Sequence, residues 1–336
     1  MKTRKNKFIV VSIIPTGIRC SVGGYIGDAT LATNKIAAAC DYVITNPNAV
    51  NAGAFNFKEK NVLYVEGAAI DNFFEKKIDL LLPQKNRIGI ILEKIDDKIG
   101  LRYALKAIEA FQKVVGIDIV SVEYIPPTAK IIRLQEGQFC ADIPNIDPIF
   151  HAAQKLLNKG ADALAISTHI PIRKKFLRQY QRGLMPNPYG LLEALLSHTI
   201  THIFNVPTAH APILTKSDLD TYLFDSFSSD ARSAFENISG TYIGSVLLGL
   251  DNAPRLVSKG KGEIKLNDIA AVVLPSNCLR SIPAAIALEC GIPIIEVSEN
   301  KNIFDRLPTI RGKNILRVRT YEDAVEKISD LRANLT

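Results

Sequence analysis

The sequence predicts an α/β fold, doubly wound, in which mainly parallel sheets are covered by helices and two lobes enclose a cleft. Three observations predict it. Short runs rich in Val and Ile alternate with longer segments of helical periodicity, and few hairpin signals separate them. The chain has 336 residues, which is enough for two lobes. We expect an N-terminal lobe over residues 1–145 and a C-terminal lobe over residues 146–336.

The first βαβ unit is the clearest part of this pattern. The β-branched run Phe8–Ile14 predicts a buried strand that ends at Pro15. A glycine-rich turn follows, and Asp28 is a suitable N-cap for the next helix. Asp41–Thr45 predicts the second strand. Polar residues therefore gather at strand ends, where open α/β sheets bind their ligands.

The remaining segments continue the alternation, with apolar runs predicting strands and amphipathic or apolar periodic segments predicting helices. The region 126–144 has no clear period and predicts a loop or small hairpin, and 226–239 predicts a loop with a short helix. Further strands are expected at 61–66, 87–92, 118–124, 161–167, 208–212, 270–274, 292–297 and 315–318, and helices at 97–115, 149–157, 173–181, 191–204, 242–250, 284–290 and 321–331.

The composition is typical of a soluble globular protein, with 47% hydrophobic and 22% charged residues. The net charge of +7 is spread over Lys2–Lys7, Arg173–Arg182 and Lys259–Lys265. Aromatic residues do not interleave with these basic residues, as a nucleic-acid stacking platform requires. We therefore expect a small-molecule ligand and no nucleic acid as the partner.

Cysteine usage and hydropathy predict a cytoplasmic protein that has no membrane partner. No apolar run approaches a membrane span, and the N-terminal apolar run is better explained as the first strand than as a signal peptide. The apolar helix at 242–250, with Gly244 and Gly249, suggests a homodimer contact. The cysteines are odd in number and lack a CxxC pair, which favours reduced thiols: Cys20, Cys40, Cys140, Cys278 and Cys290.

The glycine-rich turn is the first candidate binding element. Gly23, Gly24 and Gly27 would let the backbone approach an anion beside a helix N-terminus. The dinucleotide fingerprint GxGxxG and the phosphate-binding GK[ST] are both absent, and Asp28 would repel a phosphate. The alternative is a tight turn that needs glycine at a positive φ.

An asparagine-rich loop follows the second strand. Side-chain amides both donate and accept hydrogen bonds, so Asn46, Asn48 and Asn51 suit a substrate that bears a carboxylate or an amide. Ordinary turn chemistry is the alternative. Other residues expected to contact the substrate are Glu66, Asn187, Ser197, Glu299 and Asn300.

The helix at 191–204 carries the residues most suited to acid–base chemistry. His198 and His202 are four residues apart and share one helical face, and His210 follows at a strand end. A zinc or iron site built from these three histidines is one interpretation. The favoured one has no metal: His198 and His210 act as general acid and base with Glu193 nearby, and His202 is a surface residue.

Cys278 is the candidate nucleophile. It follows a predicted strand and precedes a helix, with Arg280 two residues away. This setting would lower the pKa of a thiol and activate it. The alternative is an ordinary small residue in a loop.

Six segments, taken in order, resemble the motifs of one protein family: PTGIRCSVGGYIGDA, ITNPNAVNAG, VLYVEGAAID, PNPYGLLEALLSH, TAHAP and GIPIIEVSEN. The family is the domain of unknown function 3326, found mainly in bacteria and plastid-bearing organisms, and the resemblance extends from about Ile13 to Asp330. Leu279 and Arg280 replace a small residue and a glycine pair of the family pattern, and His202 lies outside it. No activity is implied. The resemblance implies that one set of residues forms the site: Gly23, Gly24, Gly27, Asp28, Asn48, Asn51, Glu66, Glu193, His198, His210, Cys278, Glu299 and Asn300.

From these residues we expect a cytosolic enzyme that acts on a small polar metabolite bearing a carboxylate or amide. Its chemistry would be of the hydrolase, lyase or isomerase type, carried by acid–base groups or a thiol. A non-catalytic binding protein for a nucleotide or another anionic metabolite is the alternative, and a histidine-ligated metalloenzyme is the third possibility. The sequence identifies no cofactor.

Overall fold

Two parallel sheets form the framework of the chain. The computed structural model describes residues 7–23, 28–50, 58–135, 138–182, 184, 189–224 and 242–334. The strands are β1 (Ile9–Ser12), β2 (Tyr42–Thr45), β3 (Val62–Tyr64), β4 (Ile78–Leu80), β5 (Ile88–Glu93), β6 (Ile119–Ile125), β7 (Lys130–Gln135), β8 (Gln138–Asp142), β9 (Ala163–Thr168), β10 (Thr208–Pro212), β11 (Leu256–Ser258), β12 (Ile269–Pro275), β13 (Ile294–Val297) and β14 (Ile315–Val318).

Helices connect these strands and cover the sheets. They are α1 (Thr30–Ala38), α2 (Pro47–Val50), α3 (Gly67–Phe74), α4 (Lys98–Ala110), α5 (Asp147–Asn158), α6 (Lys174–Gln181), α7 (Gly190–Phe204), α8 (Lys216–Phe224), α9 (Tyr242–Asp251), α10 (Ile282–Glu289) and α11 (Tyr321–Ala333).

The larger sheet has six strands in the order β3-β2-β1-β12-β13-β14, and each of its pairings is parallel. Counted within the sheet, this order is 3-2-1-4-5-6, as in doubly wound nucleotide-binding domains. The strand order reverses between β1 and β12. In such sheets a crevice opens at this switch point, beyond the carboxyl ends of the strands.

The smaller sheet has the order β6-β5-β9-β10, again with parallel pairings. Two short antiparallel pairs, β4 with β11 and β7 with β8, complete the strands of the described residues. The predicted α/β fold with mainly parallel sheets is therefore confirmed. The predicted lobe boundary between residues 145 and 146 stays a prediction. Each sheet contains strands from both sides of it, since β1 pairs with β12 and β5 pairs with β9.

The alternation of side chains along β1 explains how the larger sheet is buried on both faces. Val10 lies in a cluster with Ile36 on α1, whereas Ile9 and Val11 lie in a second cluster with Phe73 on α3. Successive residues of a strand point to opposite faces, so a run of β-branched residues serves both layers. The first cluster continues to Ile90 on β5 and thereby joins the two sheets in one core.

Some elements differ from the sequence-based expectation. Helices α3 and α8 and strands β4 and β11 were not predicted from the sequence, whereas the small hairpin predicted within 126–144 is present as β7 and β8. Helix α1 begins at Thr30, and Asp28 accepts a hydrogen bond from the Thr30 amide at 2.9 Å one residue before the N-cap position. The segment 226–239 lies outside the described residues.

The glycine-containing helix α9 packs inside the chain, against β9, β10 and α4. Ile243, Val246 and Leu247 are at most 4% exposed. Its apolar composition is thus explained by the core of a single chain, and the predicted homodimer loses the observation on which it was based. Within the described residues, no helix has the length and apolar character needed to cross a membrane.

Candidate functional site

A cavity of about 410 Å³ lies beyond the carboxyl ends of β1, β2 and β3, at the switch point of the larger sheet. This volume is in the range of small-molecule sites. Helix α7 and strand β10, which belong to the smaller sheet's layers, close its other side. Its lining residues are Ile13, Pro15, Thr16, Asn46, Pro47, Glu66, Gly67, Ile70, Asp71, Gly190, Glu193, Ala194, Leu195, Ser197, His198, Ala209, His210, Ser281 and Pro283.

Glu66 holds the two sides of this cavity together. It follows β3 and is the N-cap of α3, where its Oε2 accepts hydrogen bonds from the amides of Ala68 at 2.7 Å and Ala69 at 3.4 Å. Its Oε1 lies 2.8 Å from His198 Nε2 and accepts from Ser197 Oγ at 3.2 Å. The side chain is buried, so each oxygen is held in place by these donors.

The His198 ring lies over the first residue of α3. A Cβ at Gly67 would come within 2.6 Å of His198 Nε2, so glycine leaves the space that the imidazole occupies. Burial lowers the pKa of His198, but the hydrogen bond to Glu66 and the negative charges of Glu66 and Asp71 outweigh this effect, and the pKa is raised. The ring is 47% exposed, which makes it accessible from the cavity.

Asp71 lies one turn further along α3 and also lines the cavity. Burial raises its pKa to about 6, with the charge of Glu66 adding to the effect and that of His198 opposing it. A carboxyl group that titrates near neutrality can both accept and release a proton. Asp71 was not expected from the sequence, because α3 was not predicted. Glu66 caps this helix, so both carboxyl groups belong to one element.

His210 lies in the middle of β10 with its side chain fully buried. Its Nε2 is 2.9 Å from Thr168 Oγ1 on the neighbouring strand β9. Its Nδ1 makes no hydrogen bond within the described residues and is 3.5 Å from Glu193 Oε1 on α7. A second imidazole–carboxylate pair therefore faces the same cavity. Thr168 was not predicted from the sequence either, because the register between β9 and β10 decides which hydroxyl reaches the imidazole of His210.

Asn46 lines the cavity, but its amide is used to hold the backbone. It accepts a hydrogen bond from the Ile14 amide and donates one to the Ile14 carbonyl, each at 3.0 Å. It thus fixes the loop after β1 against the loop after β2. The predicted contact with substrate is untested, whereas this positioning of Ile14 is observed.

At Gly23 the structure shows the tight turn. Its φ is +71°, and a Cβ would come within 2.6 Å of the Ala29 Cβ. Glycine is therefore required there by backbone and packing, and anion binding by this turn stays a prediction. Four predicted site residues lie outside the described residues: Gly24, Gly27, Asn51 and Asn187. The side chain of Asn48 also lies outside them.

Glu299 and Asn300, which follow β13, bind the backbone of neighbouring segments beside the larger sheet. Asn300 is fully buried, donates to the Val22 carbonyl at 3.0 Å and accepts from the Val22 amide at 2.9 Å. Glu299 Oε1 accepts from the amide of Tyr321 at 2.7 Å. Neither residue lines the cavity described above, so the structure does not bring them together with His198 and His210.

The lowered pKa that the sequence suggested for Cys278 is wrong. The residue is 3% exposed, and its contact with the Cys20 thiol together with burial raises its pKa. The guanidinium of Arg280 donates to the Pro308 carbonyl at 2.8 Å. Cys278 also does not line the cavity, whereas Ser281 and Pro283, a few residues later, do.

The three histidines considered as metal ligands are not assembled into one site. His198 faces Glu66, His210 faces Thr168, and His202 is exposed on α7. Among the residues that the structure describes, no group of three His, Cys, Asp or Glu side chains is arranged to hold a metal ion.

The profile of the family "Protein of unknown function (DUF3326)" matches residues 9–336. The chain belongs to this family. It is also 32% identical over 333 residues to a protein of Synechococcus sp. that is named an uncharacterized lipoprotein, with 97% of this chain and 91% of the relative covered. The family resemblance inferred from the six motifs is confirmed, and the cavity is lined by residues of five of them.

Proposed function

We propose that this member of the family is an enzyme that moves protons on a small polar metabolite, in a reaction of the hydrolase, lyase or isomerase type. The observation that carries the proposal is the pair of imidazole–carboxylate contacts on one cavity: His198 with Glu66 at 2.8 Å and His210 with Glu193 at 3.5 Å. Two such pairs can supply a general acid and a general base to one bound molecule.

The environments of the two histidines support different roles. His198 has a raised pKa and is accessible, so it is the candidate general acid. His210 is buried, and Glu193 Oε1 lies 3.5 Å from its Nδ1, so it is the candidate base. Asp71, which titrates near pH 6, is placed to exchange a proton with solvent or substrate. The thiol chemistry considered from the sequence is not part of the proposal, because the pKa of Cys278 is raised.

Untargeted mass spectrometry of a metabolite extract in D₂O tests the proposal. The native protein should consume a metabolite or incorporate deuterium into one, and the double variant His198→Asn/His210→Asn should not. The matched control is His202→Asn, which makes the same chemical change on the exposed part of α7. Equal turnover by the double variant and the native protein would refute the proposal.

The alternative function is a non-catalytic binding protein for a nucleotide or other anionic metabolite. It predicts a different result with the same metabolite extract. A bound molecule at about a hundred times its Kd would raise the free energy of unfolding by about 2.7 kcal/mol. Thermal stabilisation by such a molecule, with neither product nor deuterium incorporation, would favour the binding protein. The position of the cavity at the switch point of a 3-2-1-4-5-6 sheet is the observation that favours this alternative.

A cytoplasmic location is part of the proposal and rests on the unpaired cysteines; Cys20, Cys40, Cys278 and Cys290 are free thiols. The Synechococcus relative carries the word lipoprotein in its name, so fractionation of cells that express the native chain is the direct test. Recovery in the membrane fraction would contradict the cytoplasmic location. Light scattering coupled to size-exclusion chromatography measures the oligomeric state, and a monomer would contradict the homodimer expected from the sequence.

A further inference from the structure

The cavity is acidic over its described lining. Glu66, Asp71 and Glu193 contribute three carboxyl groups. No lysine or arginine is among the described residues that line it. A bound carboxylate would therefore face several carboxyl groups without a basic side chain to pair with, which is unfavourable in a partly enclosed site.

The imidazole of His198 offsets only part of this charge. It is paired with Glu66, whose oxygens also accept from Ser197 and from the first turn of α3. Within the described part of the chain, neither Asp71 nor Glu193 has an ion pair with a lysine or arginine. The raised pKa of Asp71 shows the consequence, since burial beside another carboxylate disfavours its charged form.

A hydrogen-bond acceptor is also available. The Nδ1 atom of His210 is buried and makes no hydrogen bond within the described residues, although the ring lines the cavity. In the tautomer whose Nε2 donates to Thr168 Oγ1, Nδ1 carries a lone pair and lies 3.5 Å from Glu193 Oε1, so two acceptors face each other without a proton between them. A buried acceptor without a donor is unfavourable, and a ligand N–H group would satisfy it.

We infer that the cavity binds a small molecule bearing a protonated amine, with the ammonium group near Glu193, Asp71 and His210. This inference rests on the proposed function, because it names the substrate class of the same cavity. The apolar side chains of Ile13, Ile70 and Leu195 line the same space and suit a hydrocarbon skeleton. An amine ligand takes the place of the carboxylate ligand that was expected from the asparagine-rich loop. Such a ligand can still carry an amide elsewhere on the molecule.

Three compounds of similar size and different charge test this: benzylammonium, benzyl alcohol and benzoate. Their dissociation constants are measured by ligand-observed NMR at pH 7.5 with EDTA present, so that adventitious metal does not contribute. Benzylammonium should bind about tenfold more tightly than benzyl alcohol, and benzoate most weakly. Equal affinities, a preference for benzoate, or no binding by any of the three would overturn the inference.

Matched variants assign the preference to the cavity. Glu193→Gln and Asp71→Asn should each weaken benzylammonium binding by about threefold to tenfold and leave benzyl alcohol nearly unchanged. The control is Asp330→Asn, which removes the same charge from the exposed end of α11, far along the sequence from the cavity residues. An equal effect of Asp330→Asn would mean that net charge, and not the cavity, determines the preference, and would also overturn the inference.

The inference and the proposed function can fail separately. Selective binding of benzylammonium by a protein that turns over no metabolite would uphold the amine site and refute the enzyme. Turnover of a metabolite without an amine, lost in His198→Asn/His210→Asn, would uphold the enzyme and refute the amine site.

Discussion

Glu66 and His198 connect the two sheet layers through one hydrogen bond of 2.8 Å between Oε1 and Nε2. Glu66 follows β3 of the larger sheet and caps α3, whereas His198 projects from α7, which packs on β10 of the smaller sheet. The bond therefore joins the two sides of the cavity and raises the pKa of the ring. It is the contact on which the first predictions depend.

Substitution of Glu66 by Gln should lower the pKa of His198. The hydrogen bond to the carboxylate and its charge outweigh burial, so their loss leaves burial as the dominant effect. The raised folded-state pKa also means that the pair contributes stability below the unfolded pKa of His, and that this contribution is lost as pH rises through the folded pKa. NMR titration of the His198 Cε1 proton measures the shift. An unchanged pKa in Glu66→Gln would contradict the assignment.

Substitution of Gly67 by Ala should displace the His198 ring. The added Cβ would come within 2.6 Å of Nε2, and we expect a loss of about 1–3 kcal/mol in the free energy of unfolding, measured by chemical denaturation. The control is the same change in a His198→Ala background, where the clash is absent and the helix gains from alanine. Equal destabilisation in both backgrounds would show that the ring is not the cause.

Substitution of Asp71 by Asn should change how stability depends on pH. The folded-state pKa is raised from 3.8 to about 6, so the folded state binds the proton more tightly and the native protein loses stability as pH rises from about 4 to 6. The variant lacks this loss and should be more stable at pH 7.5 by on the order of 1 kcal/mol, since solvent screening at this partly exposed side chain reduces the effect, with little difference near pH 4. Urea denaturation at both values checks it. A variant less stable than the native protein at pH 7.5 would contradict the raised pKa.

Substitution of Thr168 by Val should leave His210 Nε2 without its partner. An unsatisfied buried polar atom destabilises by about 1–3 kcal/mol, and, if the proposed function holds, the same change should reduce turnover by releasing the ring. Ser167→Ala is the control on the same strand, because Ser167 Oγ is buried and makes no hydrogen bond within the described residues. The control should stay within about 0.5 kcal/mol of the native protein. A larger loss for the control than for Thr168→Val would refute the role of Thr168.

The cysteines should differ in their reaction with iodoacetamide under native conditions. Cys290 is exposed, whereas Cys20, Cys40 and Cys278 are buried. Burial raises the pKa of Cys40 to about 12, and the Cys20 contact with burial raises that of Cys278. Mass spectrometry after brief labelling should find modification at Cys290 and none at these three. Rapid modification of Cys278 would restore it as a nucleophile.

Local sequence was a sound guide wherever one element could be interpreted by itself. The β-branched runs predicted the strands of both sheets, and the helix carrying His198 was expected at 191–204 and observed at 190–204. The helix at 67–74 was missed because its signal is brief: one capping carboxylate and eight residues. Asp71 was therefore missed as well, because its position in the cavity depends on α3.

Errors arose where the environment of a side chain decided its chemistry. The position of Cys278 between a strand and a helix suggested an activated thiol, but its neighbour is Cys20, far away in the sequence. The composition of α9 suggested a contact between subunits, but the smaller sheet of the same chain covers it.

The sequence by itself determined the α/β class, the family and the set of residues from which the site is drawn, because periodicity and motif order are local properties of the chain. The tertiary structure decided that Glu66 faces His198, that Glu193 faces His210, and that asparagines 46 and 300 hold backbone segments in place. These pairings depend on strand order, crossover path and helix rotation. Each is set by packing between residues distant in the sequence, which local patterns do not encode.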